Sequence, residues 1–339
     1  MLKIGVIGGG LGLRCIIPKF KEIDGVTVFA FLSGNYKKTK IIGKENNIQY
    51  ICRNIEEMCR LPVDLICIAS PTKFHYEQVN YILSKNINIL CEKPLAISKE
   101  EIDKLISKFK GTQSLCLIDL ELRFNPYFQK IKELIKSIGQ IYHVEMRFES
   151  DLYLNENVRN SWAYDAESGG GIRLAIMPHF LDLLFYWINA DCVSLRGYLT
   201  AVSNEKNLSD FCLVHMQLDK DITVCLSASA LVKDEKRMEI EVLGTHGKIT
   251  FDLLNGLRLN QKIVDVELPN FYNCEESIFR SSFGCYARKI VSILNNKARA
   301  DELTSVKEMV KIHKLLNDIK ISANSGHEIV YKEKSNLNS

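Results

Sequence analysis

A glycine-rich turn follows the first strand-like run of the chain. The apolar run Lys3–Ile7 leads directly into Gly8–Gly12, where four of five residues are glycine. Gly8 permits the tight turn, and Gly10 lets the backbone approach a pyrophosphate held by exposed N–H groups at a helix N-terminus. The third position of the G-x-G-x-x-G/A pattern is Leu13, a departure that Gly12 directly before it can relieve. The pattern predicts a dinucleotide-binding loop, with an ordinary strand–helix turn as the alternative.

The end of the second strand bears on which dinucleotide is bound. A site that selects NAD usually places an acid here, about 20 residues past the glycines, to bind the ribose diol. This chain has Ser33, Lys37 and Lys38 instead. A hydroxyl and two amines suit a 2′-phosphate, so NADP(H) is favoured over NAD(H). The alternative for the lysines is a solvated start of a helix.

Lys93 is the first candidate for proton transfer. It follows a buried strand in Glu92-Lys93-Pro94, and open α/β sheets bind ligands at the carboxyl ends of their strands. A partly desolvated lysine beside a positive nicotinamide ring has a lowered pKa, which suits exchange of a proton with a substrate oxygen. The alternative is a surface lysine at the end of a strand.

A second candidate group lies in the middle of the chain. Gly169–Gly171 lets backbone pass close to a ligand, and His179 and Asp182 follow it three residues apart, on one face of a helix. His179 then serves as an acid–base partner that Asp182 orients. The alternative is a core histidine satisfied by its neighbours.

In these segments the chain resembles the glucose-fructose oxidoreductase / inositol dehydrogenase (Gfo/Idh/MocA) family. The landmarks occur in matching order and span nearly the whole sequence. They are the glycine loop, Ala69-Ser70-Pro71-Thr72 with His75, Glu92-Lys93-Pro94, Leu122-Arg123-Phe124-Asn125-Pro126, and Gly169-Gly170-Gly171 with His179 and Asp182. The resemblance implies an NAD(P)-dependent oxidoreductase in which Lys93 is the main proton-transfer group, assisted by His179 and Asp182. It also implies a cis peptide bond before Pro94.

The resemblance extends the cofactor site and reveals one departure. Family members often carry an aspartate four residues before the histidine, where this chain has Ala175, so Lys93 must carry more of the work. Glu121 stands where many relatives have an amide or a histidine close to the nicotinamide, and Trp162 can stack on cofactor or sugar or be buried in the core. The predicted cofactor-binding residues are Gly8, Gly10, Leu11, Gly12, Ser33, Lys37, Ser70, Pro71, Thr72, His75, Glu92, Lys93, Glu121 and Trp162.

Elements that position these residues alternate in the first third of the chain. Helical patterns over Phe74–Ser84 and Lys99–Lys110 separate near-continuous apolar runs, as in a parallel sheet covered on both faces. The predicted strands are Lys3–Ile7, Val26–Leu32, Val63–Ala69, Ile87–Cys91 and Ser114–Ile118. We therefore predict a Rossmann-type, doubly wound NAD(P)-binding domain over residues 1–120.

After about Gly139 the periodicity changes to alternation of apolar and polar residues. The predicted strands are His143–Glu149, Val193–Leu199, Phe211–Leu218, Thr223–Ala230, Arg237–Leu243 and Lys248–Phe251. Helices are predicted over Ile172–Ile188, Ser277–Asn295 and Thr304–Ser322. This indicates an α+β domain over residues 121–330 with a large, mostly antiparallel open sheet, and a polar, frayed tail at 331–339. One sheet face stays uncovered, so we expect a homo-dimer or homo-tetramer through it.

Composition excludes several classes of protein. Of 339 residues, 46% are hydrophobic and 25% charged, and the net charge of +3 provides no basic patch for nucleic acid or an anionic membrane. The opening residues have no signal-peptide pattern, and no apolar run reaches the roughly 20 residues of a membrane span. Eleven cysteines form no C-x-x-C pair and no zinc spacing. We expect a soluble cytoplasmic protein with reduced thiols and no metal.

These observations support one leading function and two rivals. The leading hypothesis is hydride transfer to or from a secondary alcohol or ketone of a sugar, cyclitol or nucleotide-linked sugar, with Lys93 and His179 meeting at the nicotinamide. A rival within the enzymes is reduction of a C=N or conjugated bond. A rival of another class is a non-catalytic NADP(H)-binding regulator, which Ala175 favours and the intact Glu92-Lys93-Pro94 opposes.

Overall fold

The computed structural model describes residues 1–203, 208–300 and 303–331. These residues form two compact units. The first consists of Met1–Asn125 and Pro269–Lys311, and the second of Pro126–Leu268 and the chain from Ile312 onward. The predicted tail at 331–339 lies, apart from Tyr331, outside the described residues.

The first unit is built on a six-stranded parallel sheet in the order β3-β2-β1-β4-β5-β6. Its strands are β1 (Leu2–Ile7), β2 (Val26–Leu32), β3 (Tyr50–Ile51), β4 (Leu65–Ile68), β5 (Asn88–Glu92) and β6 (Cys116–Asp119). Its first five helices are α1 (Ile17–Lys21), α2 (Tyr36–Glu45), α3 (Ile55–Cys59), α4 (His75–Leu83) and α5 (Lys99–Phe109). Every side chain of β4 is fully buried. Burial on both faces explains the continuous apolar runs and confirms the predicted Rossmann-type sheet.

The segment after the glycine loop is less regular than predicted. Gly12–Ile16 forms a π-helical turn in which the N–H of Ile17 bonds the carbonyl of Gly12, and only then does α1 begin. Pro18 stands at the start of α1 and has no N–H to donate, so the regular ladder cannot run through this point. The helix α1 still follows the glycine loop after this single turn.

The second unit contains a nine-stranded sheet in the order β14-β13-β12-β11-β7-β10-β9-β8-β15. Its strands are β7 (Ile141–Ser150), β8 (Cys192–Thr200), β9 (Phe211–Leu218), β10 (Ile222–Ser229), β11 (Lys236–Gly244), β12 (Gly247–Asp252), β13 (Gly256–Leu259), β14 (Lys262–Ile263) and β15 (Ile329–Val330). All pairs are antiparallel except β7 with β10. The prediction of a mostly antiparallel sheet is confirmed.

One face of this sheet carries the core of the second unit. Alternate residues of β10, Val224, Leu226 and Ala228, are buried, and the residues between them are not. The helices of this part of the chain are α6 (Pro126–Leu134), α7 (Glu156–Arg159) and α8 (Ile172–Trp187). The helix α8 is apolar around most of its circumference and contributes eleven buried residues, as expected of a central helix.

Two helices close the chain, α9 (Ile278–Leu294) and α10 (Val306–Ser325). The helix α9 belongs to the first unit: Tyr286 stacks on Phe124 at 4.5 Å between ring centroids and donates a 2.9 Å hydrogen bond to the carbonyl of Ile118. The sequence had assigned this segment to the second domain. Local patterning identifies a helix, but only tertiary contacts decide which core its apolar face joins.

Candidate active site

The glycine loop has the geometry that phosphate binding requires. Gly8 has φ +119°, and a Cβ there would lie 2.2 Å from the carbonyl oxygen of Ala69 at the end of β4, so no other residue fits. A Cβ at Gly10 would meet no atom within 4 Å, which leaves open space for a ligand against the backbone. Leu11 beside it is 39% exposed. A Cβ at Gly12 would lie 3.0 Å from Val6, so this glycine provides the close helix–strand packing.

The candidate selector of the adenosine ribose lies beside this loop. A Cβ at Gly9 would contact Ser33 at 3.4 Å, and the Ser33 hydroxyl hydrogen-bonds that of Thr39. Asn35 caps α2 by accepting a 3.1 Å hydrogen bond from the N–H of Lys38. Lys37 and Lys38 are exposed in the first turn of α2. Ser33 thus directly follows β2, where NAD-selective sites place an acid, and the exposed Lys37 and Lys38 come after it at the start of α2.

The loop after β4 holds Ser70, Pro71, Thr72 and His75. Ser70 is buried and donates a 2.6 Å hydrogen bond to Gln78. The Thr72 hydroxyl is buried and has no hydrogen-bond partner within the described part of the chain. Because buried polar atoms are normally satisfied, Thr72 suits contact with a bound polar group.

His75 occupies a different position from its neighbours in this loop. It is 1% exposed, with Nδ1 2.9 Å from the carbonyl oxygen of Pro94 and Nε2 2.9 Å from that of Ser70. Burial lowers the pKa of His75, although both carbonyls oppose that shift. The ring thus ties the loop after β4 to the turn after Lys93, and both its nitrogens are occupied by protein groups.

Lys93 lies among three acids at the carboxyl edge of the parallel sheet. Glu92 ends β5 and is in register with Asp119, which ends β6. Glu121 follows in the short 3₁₀ turn Glu121–Phe124 and is 7% exposed. The Lys93–Pro94 peptide bond is cis, as the resemblance implied. Sequence reasoning found Lys93, Glu92 and Glu121 but missed Asp119. The signal that could have identified it is that Asp119 ends an apolar strand, just as Glu92 does.

The electrostatics of this cluster are strongly perturbed. Burial lowers the pKa of Lys93, against the opposing effect of the three carboxylates. Burial also raises the pKa of Glu92 and Asp119, and the negative charges of Glu92 and Glu121 raise the pKa of Asp119 further. Glu121 is shifted to a pKa of about 8 by burial and by the charge of Glu92, with Lys93 opposing. Such shifted groups at a strand edge are typical of acid–base chemistry near neutral pH.

The second unit holds the other predicted catalytic residues. His179 and Asp182 are 2% and 1% exposed within α8, and Ala175 lies one turn before His179. Their burial fits both the functional and the core interpretation. The predicted meeting of His179 with Lys93 stays a prediction.

The triple glycine packs against the turn that carries Trp162. A Cβ at Gly170 would lie 2.4 Å from the carbonyl oxygen of Ala163, and Gly171 has φ +105°. Trp162 is 38% exposed, so core burial is wrong for this residue. Tyr164 anchors the turn: it is 2% exposed and donates a 2.8 Å hydrogen bond to Ser203.

Sequence reasoning missed the residue that supports this anchor. Asp210 is fully buried and accepts hydrogen bonds from the N–H of Val202, at 3.0 Å, and from the N–H and hydroxyl of Ser203, at 2.9 and 2.8 Å. No local sequence signal links Asp210 to the Trp162 turn.

Cysteines, helices and possible metal ligands are described over residues 1–203, 208–300 and 303–331. All eleven cysteines lie in this part, and none of them forms a disulfide there. No helix there is both long and apolar enough to cross a bilayer. No cluster of three or more His, Cys, Asp or Glu side chains there could hold a metal ion.

Two family models match the chain. One, described as an oxidoreductase family with an NAD-binding Rossmann fold, matches residues 2–120. The other, described as the GFO/IDH/MocA C-terminal domain, matches residues 128–250. Together they cover most of both units and include the glycine loop, Lys93 and His179.

Individual relatives are distant. An uncharacterized oxidoreductase of Synechocystis sp. is 24% identical over 279 residues, covering 76% of this chain and 75% of the relative. The structure of myo-inositol 2-dehydrogenase from Lactobacillus plantarum has a TM-score of 0.81 at 18% identity, covering 98% of this chain and 99% of that one. Levoglucosan dehydrogenase in complex with NADH and levoglucosan has a TM-score of 0.81 at 16% identity, covering 97% and 99%. At these identities the two structures establish the shared fold.

Proposed function

Because the chain belongs to the Gfo/Idh/MocA family of NAD-binding oxidoreductases, we propose that it moves hydride between a nicotinamide cofactor and a secondary alcohol or ketone of a sugar, cyclitol or nucleotide-linked sugar. The observation that carries the proposal is Lys93, desolvated among three acids at the carboxyl edge of a parallel sheet. The solved relatives named for inositol and levoglucosan support the substrate class.

The residues of the first unit fit a dinucleotide. Gly8 makes the tight turn, and Gly10 leaves open space against the backbone for the pyrophosphate. Ser33, Lys37 and Lys38 suit the 2′-phosphate of NADP(H), which we propose as the preferred cofactor. The cofactor, when bound, supplies the hydride chemistry, and the protein supplies alignment and proton transfer.

Lys93 exchanges the hydroxyl proton of the substrate. With a pKa lowered by burial, its amine can accept a proton on alcohol oxidation and return it on ketone reduction. His75 contacts the Pro94 carbonyl through its ring and so positions Lys93. His179 and Asp182 assist the proton transfer, and exposed Trp162 provides a stacking surface for a sugar ring.

The proposal is tested by nicotinamide absorbance with NADP(H) and NAD(H) against a panel that includes myo-inositol, levoglucosan and nucleotide sugars. Turnover of at least one polyol that is lost in Lys93→Met supports it. Tight binding of NADPH without turnover of any alcohol, ketone or imine favours the second candidate, a non-catalytic NADP(H)-binding regulator, for which Ala175 is the specific observation. Turnover of imines or enones alone favours the reductase alternative.

Cofactor choice has its own test. Ser33→Asp places a carboxylate where the 2′-phosphate would lie, so we expect NADPH affinity to fall by about 100-fold while NADH affinity falls little or rises. Thr39 buries its hydroxyl against Ser33, so Ser33→Ala serves as the control for loss of that hydrogen bond. Equal losses for both cofactors in Ser33→Asp contradict the NADP(H) preference.

We further propose a cytoplasmic homo-dimer or homo-tetramer formed through the open face of the second sheet. Arg196, His215, Cys225 and Glu145 are neighbours across β8, β9, β10 and β7 on this face, and none is buried. Free thiols suit a reducing compartment. Light scattering of the wild type against Cys225→Arg tests the assembly, and a monomeric wild type rejects it.

A further inference from the structure

An exposed tryptophan belongs to an anchored turn in the second unit. Trp162 is 38% exposed, whereas Tyr164, two residues later, is 2% exposed. The hydroxyl of Ser161 donates a 2.7 Å hydrogen bond to the carbonyl of Val158 and accepts a 3.3 Å hydrogen bond from the N–H of Ala163. The turn therefore leaves part of the indole exposed, while its backbone and its tyrosine are held by the protein.

The hydrogen bonds behind this turn run in one direction and end on Asp210. A carboxylate only accepts hydrogen bonds, so the Ser203 hydroxyl donates to Asp210, at 2.8 Å. A hydroxyl has a single proton, so Ser203 accepts from Tyr164, which donates at 2.8 Å. Asp210 also accepts from the backbone N–H groups of Val202 and Ser203, through different oxygens. The buried carboxylate therefore fixes both the backbone at residues 202 and 203 and the tyrosine that anchors the Trp162 turn.

The same segment holds the start of α8. The N–H of Ile172 donates a 2.8 Å hydrogen bond to the carbonyl of Ser209, directly before the buried carboxylate. The N–H of Gly171 donates a 3.3 Å hydrogen bond to the carbonyl of Ala163 in the turn. All of these residues belong to one compact unit. Asp210 thus lies where the turn and the helix that carries the candidate histidine are joined.

We propose that Asp210 is a positioning residue for the substrate, and that the indole of Trp162, which it holds in place, stacks on the apolar face of a sugar or cyclitol ring. The inference rests on the proposed hydride transfer to or from such a ring. The C–H groups of the ring form an apolar patch, and an aromatic side chain provides a rigid matching surface. Dispersion contact weakens steeply with distance, since a gap of about 0.5–1 Å already forfeits a quarter to a half of it. A displaced turn therefore binds the ring more weakly.

Asparagine cannot replace this carboxylate. The N–H groups of Val202 and Ser203 donate to different oxygens of Asp210, and an amide has only one oxygen. Either orientation of the amide in Asp210→Asn therefore turns an N–H toward a backbone N–H. Because Asp210 is fully buried, bulk water does not reach the donor that loses its acceptor. We expect the backbone at residues 202 and 203 to shift and the Trp162 turn to follow through Tyr164.

The experiment is ¹⁹F NMR of the full chain labelled with 5-fluorotryptophan. The chain has two tryptophans, so two signals are expected, and Trp162→Phe identifies the signal of Trp162. Trp187 is 6% exposed and donates a 2.9 Å hydrogen bond to the carbonyl of Phe128, so its signal reports on the core. Protein loaded with NADPH, or with NADH should that bind more tightly, is titrated with the polyols of the turnover panel, myo-inositol and levoglucosan among them. The reduced cofactor cannot accept hydride from an alcohol, so binding is measured without turnover.

A bound polyol should move the Trp162 signal and leave the Trp187 signal in place. In Asp210→Asn the dissociation constant of the polyol should rise about tenfold, with the Trp187 signal unchanged. The matched control is Asp252→Asn, which replaces a carboxylate that accepts a 2.9 Å hydrogen bond from the N–H of Leu254 in the turn between β12 and β13. That control should keep the wild-type affinity.

A second pair of variants cuts the connection and leaves the carboxylate in place. Ser203→Ala removes the hydroxyl between Tyr164 and Asp210, whereas Ser203→Thr keeps a hydroxyl there. Ser203→Ala should raise the dissociation constant about fivefold, and Ser203→Thr should stay within about twofold of the wild type. This pair replaces Asp210→Asn should that variant lose the Trp187 signal.

Steady-state kinetics separate positioning of the substrate from a role in the fold alone. For a polyol that is turned over, Asp210→Asn should raise KM about tenfold and change kcat by less than about threefold. A carboxylate needed only for the fold would instead lower the amount of active protein, and KM would stay the same. An unchanged KM in the folded variant overturns the role of Asp210.

The Trp162 signal and polyol turnover give independent readouts. Turnover of a polyol that does not move the Trp162 signal overturns the inference and leaves the proposed function standing. A polyol that moves the signal in a protein without hydride transfer supports the stacking surface and overturns the proposed function. Neither binding nor turnover of any polyol overturns both.

Discussion

The strand-end cluster of the first unit and the helix α8 of the second assemble their titratable groups in different ways. Glu92 and Asp119 come from separate strands and meet because β5 and β6 are parallel and in register. His179 and Asp182 come from one helix and share a face because they are three residues apart. Asp119, His179 and Asp182 are buried and Glu92 is half-buried, and the strand-end acids act on the neighbouring amine of Lys93.

The two arrangements lead us to expect different shares in proton transfer. In a parallel sheet the carboxyl ends of all strands lie at the same edge. Acids that are distant in sequence therefore meet there and shift each other's pKa. A single helix presents its polar pair to whatever packs on it, and here the residue one turn earlier is the inert Ala175. We therefore expect the strand-end cluster to dominate proton transfer and α8 to assist.

Lys93→Met is expected to have the largest effect. It keeps the length of the side chain and removes the amine, so turnover should fall on the order of 10³-fold, as for loss of a general acid–base group. Steady-state kinetics on a responsive polyol measure it, and Lys99→Met, an exposed lysine of α5, is the matched control. A loss of less than about tenfold would remove Lys93 from the reaction.

Substitutions of three glycines separate an effect on stability from an effect on cofactor binding. Gly8→Ala and Gly170→Ala each place a Cβ against a backbone carbonyl oxygen, at 2.2 and 2.4 Å, so each should lower the free energy of unfolding by about 3 kcal/mol. Gly10→Ala meets no atom within 4 Å and should keep its stability but bind NADPH about tenfold more weakly. Denaturant unfolding and fluorescence titration measure both quantities. Unchanged NADPH affinity in Gly10→Ala argues against the phosphate loop.

His179→Gln tests the smaller share that we give to α8. Glutamine keeps a buried polar group but cannot exchange protons, so turnover should fall about tenfold, well below the loss for Lys93→Met. Asp182→Asn is the companion variant. A larger loss in His179→Gln than in Lys93→Met would reverse the comparison and make α8 the principal catalytic element.

The smallest effect is on the pH dependence of stability. The pKa of Glu121 is raised from 4.5 to about 8 in the folded state, so the folded chain holds more protons than the unfolded chain between these values. The contribution of Glu121 to the free energy of unfolding is therefore complete below pH 4.5 and is lost as the pH rises through 8. In Glu121→Gln the loss should be shallower by on the order of 1 kcal/mol per pH unit. Urea unfolding at pH 5, 6, 7 and 8 checks it, and parallel curves for the two proteins contradict the raised pKa.

Much of the fold was predictable because it rests on local signals. Apolar runs bounded by turns located five of the six strands of the parallel sheet, and alternation located the long strands of the second sheet. The two-residue strand β3 and the short helix α3 were missed, since neither is long enough to show a period. The π-helical turn behind the glycine loop follows from Pro18, but its form depends on the packing of Gly12 against Val6.

Turn chemistry and side-chain period are properties of neighbouring residues, so the Rossmann-type sheet and the glycine loop could be predicted from the sequence, and Lys93, His179 and Asp182 could be named as candidates for proton transfer. The sequence does not show that Asp119 lies beside Glu92, that His75 contacts the Pro94 carbonyl, or that α9 packs in the first unit. Those relations depend on strand order, register and long-range packing. Burial then sets the pKa of each group, and burial is a property of the folded chain alone.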